Sequence, residues 1–174
     1  MEIERKYLLT EAQLNSLISS TDNFVLETRY YLYCENDNEI RVTKRAEEPT
    51  PTFTLDRMQI IHEDTDEYYV RSKERLEITE TEFTAMVEQL KGQAPVERLH
   101  FMLNESTELK VYQGRHKGLI RAEVEFSDIN EANNYQPDFE NAGEITNTAL
   151  GRDVLLAHLT QEEVADLIAQ TQAV

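Results

Sequence analysis

The chain has 174 residues, 40% hydrophobic and 29% charged, and a formal net charge of -17. These values predict one soluble globular domain, residues 1–174, and no apolar run approaches the roughly 18 residues that cross a bilayer. The charge excludes non-specific nucleic-acid binding, which depends on Lys and Arg neutralising phosphates; the acidic start without an apolar stretch predicts no leader and a cytoplasmic location; and the single Cys34 excludes an internal disulfide or a thiolate metal cluster.

The opening Met1-Glu2-Ile3-Glu4-Arg5-Lys6 reads as a strand with Glu2, Glu4 and Lys6 on one face and Ile3, Arg5 and Tyr7 on the other. A helix follows from about Glu11 to Ser20, with Thr10 as its N-cap. Strands are predicted over Phe24–Tyr33, Ile40–Arg45 and Thr52–Asp56, then an acidic loop over Gln59–Glu67 and a strand over Tyr69–Ile78. Thr79 with Glu82 forms a capping-box pattern opening a helix that ends near Gly92. Strands return at Val96–Leu103, Glu108–Tyr112 and Leu119–Phe126. Asn130–Gln136 reads as a short helix or loop, Glu144–Thr146 as a short extended piece and Gly151–His158 as a helical turn. Thr160 with Glu163 caps a final helix. His62, His116 and His158 lack metal-ligand spacing, and Tyr30, Tyr31 and Tyr33 read as strand-packing residues.

Several strands carry one apolar face and one face dense in mixed charge. Glu39, Arg41, Thr43 and Arg45 share a face, as do Arg71, Lys73, Arg75 and Glu77, Arg98 and His100, and Arg121, Glu123 and Glu125. One solvated sheet face explains any single row. A set of rows is better explained by a barrel whose apolar side is covered by helices, so that the charges converge on a polar interior. An interior row of two carboxylates and an ammonium is costly unless the carboxylates meet a cation and the ammonium an anion, and a metal-bound phosphate compound supplies both.

Glu2-Ile3-Glu4-Arg5-Lys6-Tyr7-Leu8, followed in order by Ile40-Arg41-Val42, Phe53-Thr54-Leu55, Arg71, Gly118–Glu125 and Glu144-Ile145-Thr146, resembles the CYTH, or triphosphate tunnel metalloenzyme, family, especially its short bacterial inorganic triphosphatases. The resemblance implies an α+β fold, an antiparallel β-barrel of about eight strands forming a polar tunnel. It implies metal-side acids at Glu2, Glu4, Glu123, Glu125 and Glu144 for Mg²⁺ or Mn²⁺. Phosphate-binding bases are implied at Lys6, Arg41 and Arg71, and catalytic roles at Glu4 and Lys6; Lys73, Arg75, Arg98 and His100, on the same charged strand faces, are read as further substrate contacts. The expected activity is metal-dependent hydrolysis of a triphosphate, inorganic tripolyphosphate first. The expected partner is that small anion, with neither nucleic acid nor membrane, and a homodimer is left open.

The chain also departs from the family pattern. Asp56 stands where a Lys is usual, Glu39 where an Arg is common, Lys73 and Arg75 where two acids are expected, Lys110 where an Asp is usual, and Arg98 and His100 where Lys and Arg are typical. Two alternatives follow: a nucleotide-handling member (adenylate cyclase, or nucleoside or thiamine triphosphatase), or a module that binds polyphosphate or nucleotide without turnover.

Overall fold

A computed structural model describes residues 2–19, 23–35, 37–61 and 69–173. Its strands are β1 (Glu2–Leu8), β2 (Val25–Glu35), β3 (Asn38–Arg45), β4 (Thr52–Ile60), β5 (Tyr69–Glu77), β6 (Val96–Met102), β7 (Thr107–Tyr112) and β8 (Ile120–Phe126). They close into one barrel in the order β1-β5-β4-β3-β2-β6-β7-β8, and every neighbouring pair is antiparallel. Closure leaves no free sheet edge. The expected α+β barrel of eight strands is the fold found. No helix among the described residues is long and apolar enough to cross a membrane.

Among the described residues α1 (Glu11–Leu17), α2 (Glu80–Glu88), α3 (Ile129–Asn134) and α5 (Gln161–Gln172) lie outside the barrel wall, and the four-residue α4 (Asp153–Leu156) starts at one end of the barrel. The three expected Thr caps all form complete capping boxes. The Thr10, Thr79 and Thr160 hydroxyls accept from the amides of Gln13, Glu82 and Glu163, whose side chains accept from the cap amides at 2.8, 2.7 and 2.7 Å. Each is worth about 1 kcal/mol.

The alternation in each strand divides the wall into two faces. Ile3, Tyr7, Ala122, Val124 and Phe126 point outward into a core shared with Leu14 and Ala132. A second core joins Leu8, Tyr112 and Leu119 to Ile145, Leu150, Leu156 and Val164, and a third buries Val42 and Phe53 under Phe83. Burying each large apolar side chain contributes about 1.5–3 kcal/mol; the first and third cores lie outside the barrel, whereas Leu8, Tyr31, Val96 and Tyr112 of the second continue the inward rows of β1, β2, β6 and β7 and close one end of it, which leaves the rest of the lumen to charge.

Several boundaries differ from expectation. Gln59 and Ile60, expected in the acidic loop, continue β4 and pair with Ser72 and Arg71, because ladder hydrogen bonds from β3 and β5 hold them; positions 62–68 of that loop, His62 included, lie outside the described residues. Helix α1 ends at Leu17 rather than Ser20, since Ile18 turns extended with φ -111°. Helix α2 ends at Glu88, and the chain reaches Gly92, with φ +80°, through turns. His116 is a buried histidine with Nε2 2.7 Å from the Leu156 carbonyl, and His158 is exposed.

Candidate functional site

Every described inward face of the barrel is charged. The lumen, a cavity of about 130 Å³, is lined by eleven of the chain's 17 Lys and Arg but only eight of its 34 carboxylates. A chain with an acidic surface therefore carries a basic interior, the charge pattern of an anion site.

Strand β1 supplies Glu2, Glu4 and Lys6. Their side-chain exposure falls along the strand from 16% to 9% to 4%, so the lumen has an open end near Glu2 and a closed one beyond Lys6. Arg71 of β5 donates Nε to Glu2 and Nη2 to Glu4, both at 2.7 Å, and Lys73 reaches Glu2 at 2.7 Å. Burial works against the Glu4 charge, but Arg71 and Lys6 outweigh it and hold the carboxyl down at about 2. On Lys6 burial wins over the attraction of Glu4 and Glu123, and its pKa is lowered.

Strand β8 faces β1 with Glu123 opposite Lys6 and Glu125 opposite Glu4. Glu123 lies within contact of Lys110 and Arg121; burial opposes its charge, yet Arg121, Lys110 and Lys6 push its pKa well below the ordinary range. Glu125 is exposed at the open end, and burial followed by the charges of Glu2 and Glu4 raises its pKa.

Asp56 and Arg75, two of the sign-reversed positions, are direct cross-strand partners on β4 and β5. Arg75 grips the fully buried Asp56 at 2.7 and 3.1 Å, and Arg41 adds a contact at 3.4 Å. Glu39 lies 4.0 Å from Arg41 and from Arg152, not beside Lys73. His100 accepts at Nδ1 from Arg45 at 3.1 Å, and its Nε2 lies 3.2 Å from Glu108.

The structure thus gathers Glu2, Glu4, Lys6, Arg41, Arg71, Lys73, Arg75, Arg98, His100, Glu123 and Glu125 around one cavity. Glu144 is not among them. It bridges to Tyr7, so its side chain shares the outward face of β1, where Arg5 holds it through contacts at 3.0 and 2.5 Å. Tyr31, expected to serve in strand packing, also borders the lumen.

Other lumen residues were not singled out from sequence. Glu27 and Arg29 of β2 share one face with Val25 and Tyr31, in a segment whose aromatic content masks the charge pattern. Asp153 lies at the start of the four-residue α4, where no strand period marks it. It receives Arg29, Arg98, Arg121 and the Tyr112 hydroxyl. The surrounding residues complete a floor. Gly151 accepts from Lys6 at 3.0 Å, Leu150 accepts from Arg121 at 3.0 Å, and Arg152 approaches Glu39. The segment 150–153 therefore meets inward side chains of β1, β2, β3, β6, β7 and β8 and lies across the closed end. Gly151 makes this possible, since a Cβ there would sit 2.1 Å from the Ile145 carbonyl oxygen.

Solved structures share this architecture. The inorganic triphosphatase NE1496 superposes with a TM-score of 0.53 at 22% identity over 90% of this chain and 94% of that one. The chain has the fold of that triphosphatase. The PH1012 protein of Pyrococcus horikoshii OT3 matches with a TM-score of 0.52 at 18% identity, covering 76% of this chain and 84% of its own. A putative adenylyl cyclase of Hippeastrum, HpAC1, described as having a dominant triphosphatase activity, matches with a TM-score of 0.52 at 11% identity over 76% and 83%. No protein-family model and no curated protein matches the chain.

Within this triphosphatase fold the carboxylates were tested as metal ligands. Among the described residues no three acidic or imidazole groups form a preformed metal cage. Mg²⁺ does not need one, because it is usually held by one or two carboxylates together with substrate phosphates. Glu4 Oε2 and Glu123 Oε1 are buried and accept no hydrogen bond, although Lys6 lies 3.1 Å from the first and Arg121 is beside the second. Both oxygens thus face cationic side chains, and with Glu125 opposite Glu4 the three carboxylates are the hard-oxygen groups that could hold a divalent cation.

Proposed function

We propose that the chain binds inorganic tripolyphosphate in the lumen and hydrolyses a terminal phosphoanhydride with Mg²⁺ or Mn²⁺. The observation that carries this reading is the concentration of eleven bases in the interior of a chain of net charge -17. Arg41, Arg71 and Lys6 would hold phosphate oxygens, the arginines in bidentate fashion. Glu4 and Glu125, opposite each other on β1 and β8, with Glu123 beside them, would hold the cation. When bound, the cation neutralises charge on the transferring oxygens. A lumen carboxylate, Glu4 or Glu125, orients water in line with the terminal phosphorus; the water oxygen bonds to it, the bridging P–O bond breaks, and pyrophosphate leaves beside orthophosphate. The raised proton affinity of Glu125 suits it to accept the proton released.

Phosphate release from tripolyphosphate tests the reading. Turnover should require Mg²⁺ or Mn²⁺ and fall at least about 100-fold in Glu4→Gln. Absence of turnover with either cation would sink it. A second reading, binding without chemistry, is favoured by the tight engagement of Glu2 and Glu4 by Arg71 and Lys73. Rearranged charges can preserve ground-state binding while losing transition-state stabilisation. Tight binding with no hydrolysis over hours would select it. Nucleotides are disfavoured because Tyr31 is the one phenol or larger aromatic group among the described lining residues, which leaves no stacking platform for a base.

A further inference from the structure

The floor of the lumen holds a carboxylate in surroundings built for a stronger anion. Asp153 Oδ2 accepts from Arg29 Nη1 at 2.8 Å and from Arg98 Nη1; Oδ1 accepts from Arg121 Nη2 at 2.8 Å and from the Tyr112 hydroxyl at 2.5 Å. Three guanidinium groups and a phenol thus converge on two oxygens, and Asp153 itself is 7% exposed and borders the lumen. These arginines come from β2, β6 and β8, so three rigid strands aim them at one point. Further contacts fix each of them: Arg29 on Thr43 at 3.2 Å, Arg98 on Glu27 at 2.8 Å, and Arg121 on the Leu150 carbonyl at 3.0 Å.

We propose that Asp153 is an internal anion seated in a phosphoryl-sized subsite, and that it limits the length of polyphosphate the lumen accepts. Arginine forks match phosphate oxygens as well as carboxylate oxygens, and a phosphoryl group offers three terminal oxygens to the three guanidiniums. With the Asp153 carboxylate in place the subsite is filled from within the chain. A bound polyphosphate must end in front of it, where like charge repels the next phosphoryl group. Asp153 is thereby a specificity-determining residue rather than a group that reacts. The statement about length rests on the tripolyphosphate reading above, whereas the statement about the subsite does not.

The test compares wild type, Asp153→Asn and Asp153→Ala in inorganic phosphate, by thermal unfolding. Removing the carboxylate leaves three buried cations without their shared partner, and phosphate should restore it. At phosphate about tenfold above its dissociation constant, the melting temperature of Asp153→Ala should rise by about 3–6 °C more than that of wild type. Asp153→Asn, which loses the charge but keeps the bulk, should gain less. If Asp153→Ala folds only when phosphate is present, the subsite is equally supported. Equal phosphate shifts in all three proteins, or an Ala variant that stays unfolded in phosphate, would overturn it. Calorimetry then reads length: the affinity for tetrapolyphosphate relative to tripolyphosphate should rise about tenfold in Asp153→Ala, the value of one good charge-assisted contact. An unchanged ratio would overturn the length limit. Failure of wild type to bind tripolyphosphate would count against the proposed function and leave the phosphate result to stand on its own.

Discussion

The two ends of the lumen hold carboxylates in opposite ways. At the closed end both oxygens of Asp153 are saturated by donors from four strands, and the surrounding side chains of Arg29, Arg98 and Arg121 are 7%, 4% and 1% exposed. At the open end Arg75 is 44% exposed and Lys73 26%, and Glu125 reaches solvent. A saturated, buried carboxylate is scaffold, because breaking such a network leaves uncompensated charge. A carboxylate beside solvent, as Glu125 is, can exchange its surroundings without breaking such a network. The difference is one of access: Lys73, Arg75 and Glu125 can be reached from solvent, whereas the donors around Asp153 cannot.

The closed end should break hardest. Gly151→Ala inserts a methyl where two backbone carbonyl oxygens, of Ile145 and Thr146, lie 2.1 and 2.6 Å from the Cβ position. Backbone must move, and with it the acceptor of Lys6. The expected loss is about 3 kcal/mol or more, read as an urea midpoint lowered at constant m. A loss under about 0.5 kcal/mol would mean that the floor is not fixed there.

The strand walls of the lumen were the more legible from sequence. Strand alternation put Glu2, Glu4, Lys6, Arg71, Lys73, Arg98, His100 and Glu123 on faces that do point inward, since a period of two survives any barrel closure. The floor was not legible. Asp153 and Gly151 reach the lumen through a tertiary crossing of a short helical segment over the barrel end, and no local pattern encodes which side chains await it. Glu144 failed for a related reason: its motif was matched by order along the chain, whereas its face is fixed by the bridge to Tyr7 and by Arg5. The Asp56 and Arg75 reversals were each visible alone, and their pairing depended on the β4–β5 register.

That reversed pair gives a smaller, pH-dependent effect. Burial opposes the Asp56 charge, but the Arg75 hydrogen bonds and the Arg41 charge lower its pKa from 3.8 to about 2. A depressed folded-state value contributes stability that is present above the unfolded value and is lost as pH falls through the folded one. The melting temperature of wild type should therefore exceed that of Asp56→Asn near neutral pH, and the gap should close between 3.8 and about 2. A gap independent of pH would show that Asp56 acts through shape rather than charge.

The smallest effect belongs outside the barrel. Arg57 and Glu74 lie 3.6 Å apart with side chains 58% and 75% exposed. Arg57→Ala should change stability by less than about 0.5 kcal/mol and leave the lumen untouched. It is the matched control for Arg71, which lies on the adjacent strand but faces inward.

The most direct measurement is calorimetric titration of wild type, Arg71→Ala and Arg57→Ala with tripolyphosphate. Wild type should bind one anion per chain, with affinity falling as salt rises. Arg71→Ala should weaken binding by about 1–3 kcal/mol, the cost of losing charge-assisted hydrogen bonds in a partly desolvated site, and Arg57→Ala should match wild type. Equal affinity in the Arg71 and Arg57 variants, or no binding by wild type, would contradict the lumen as the triphosphate site.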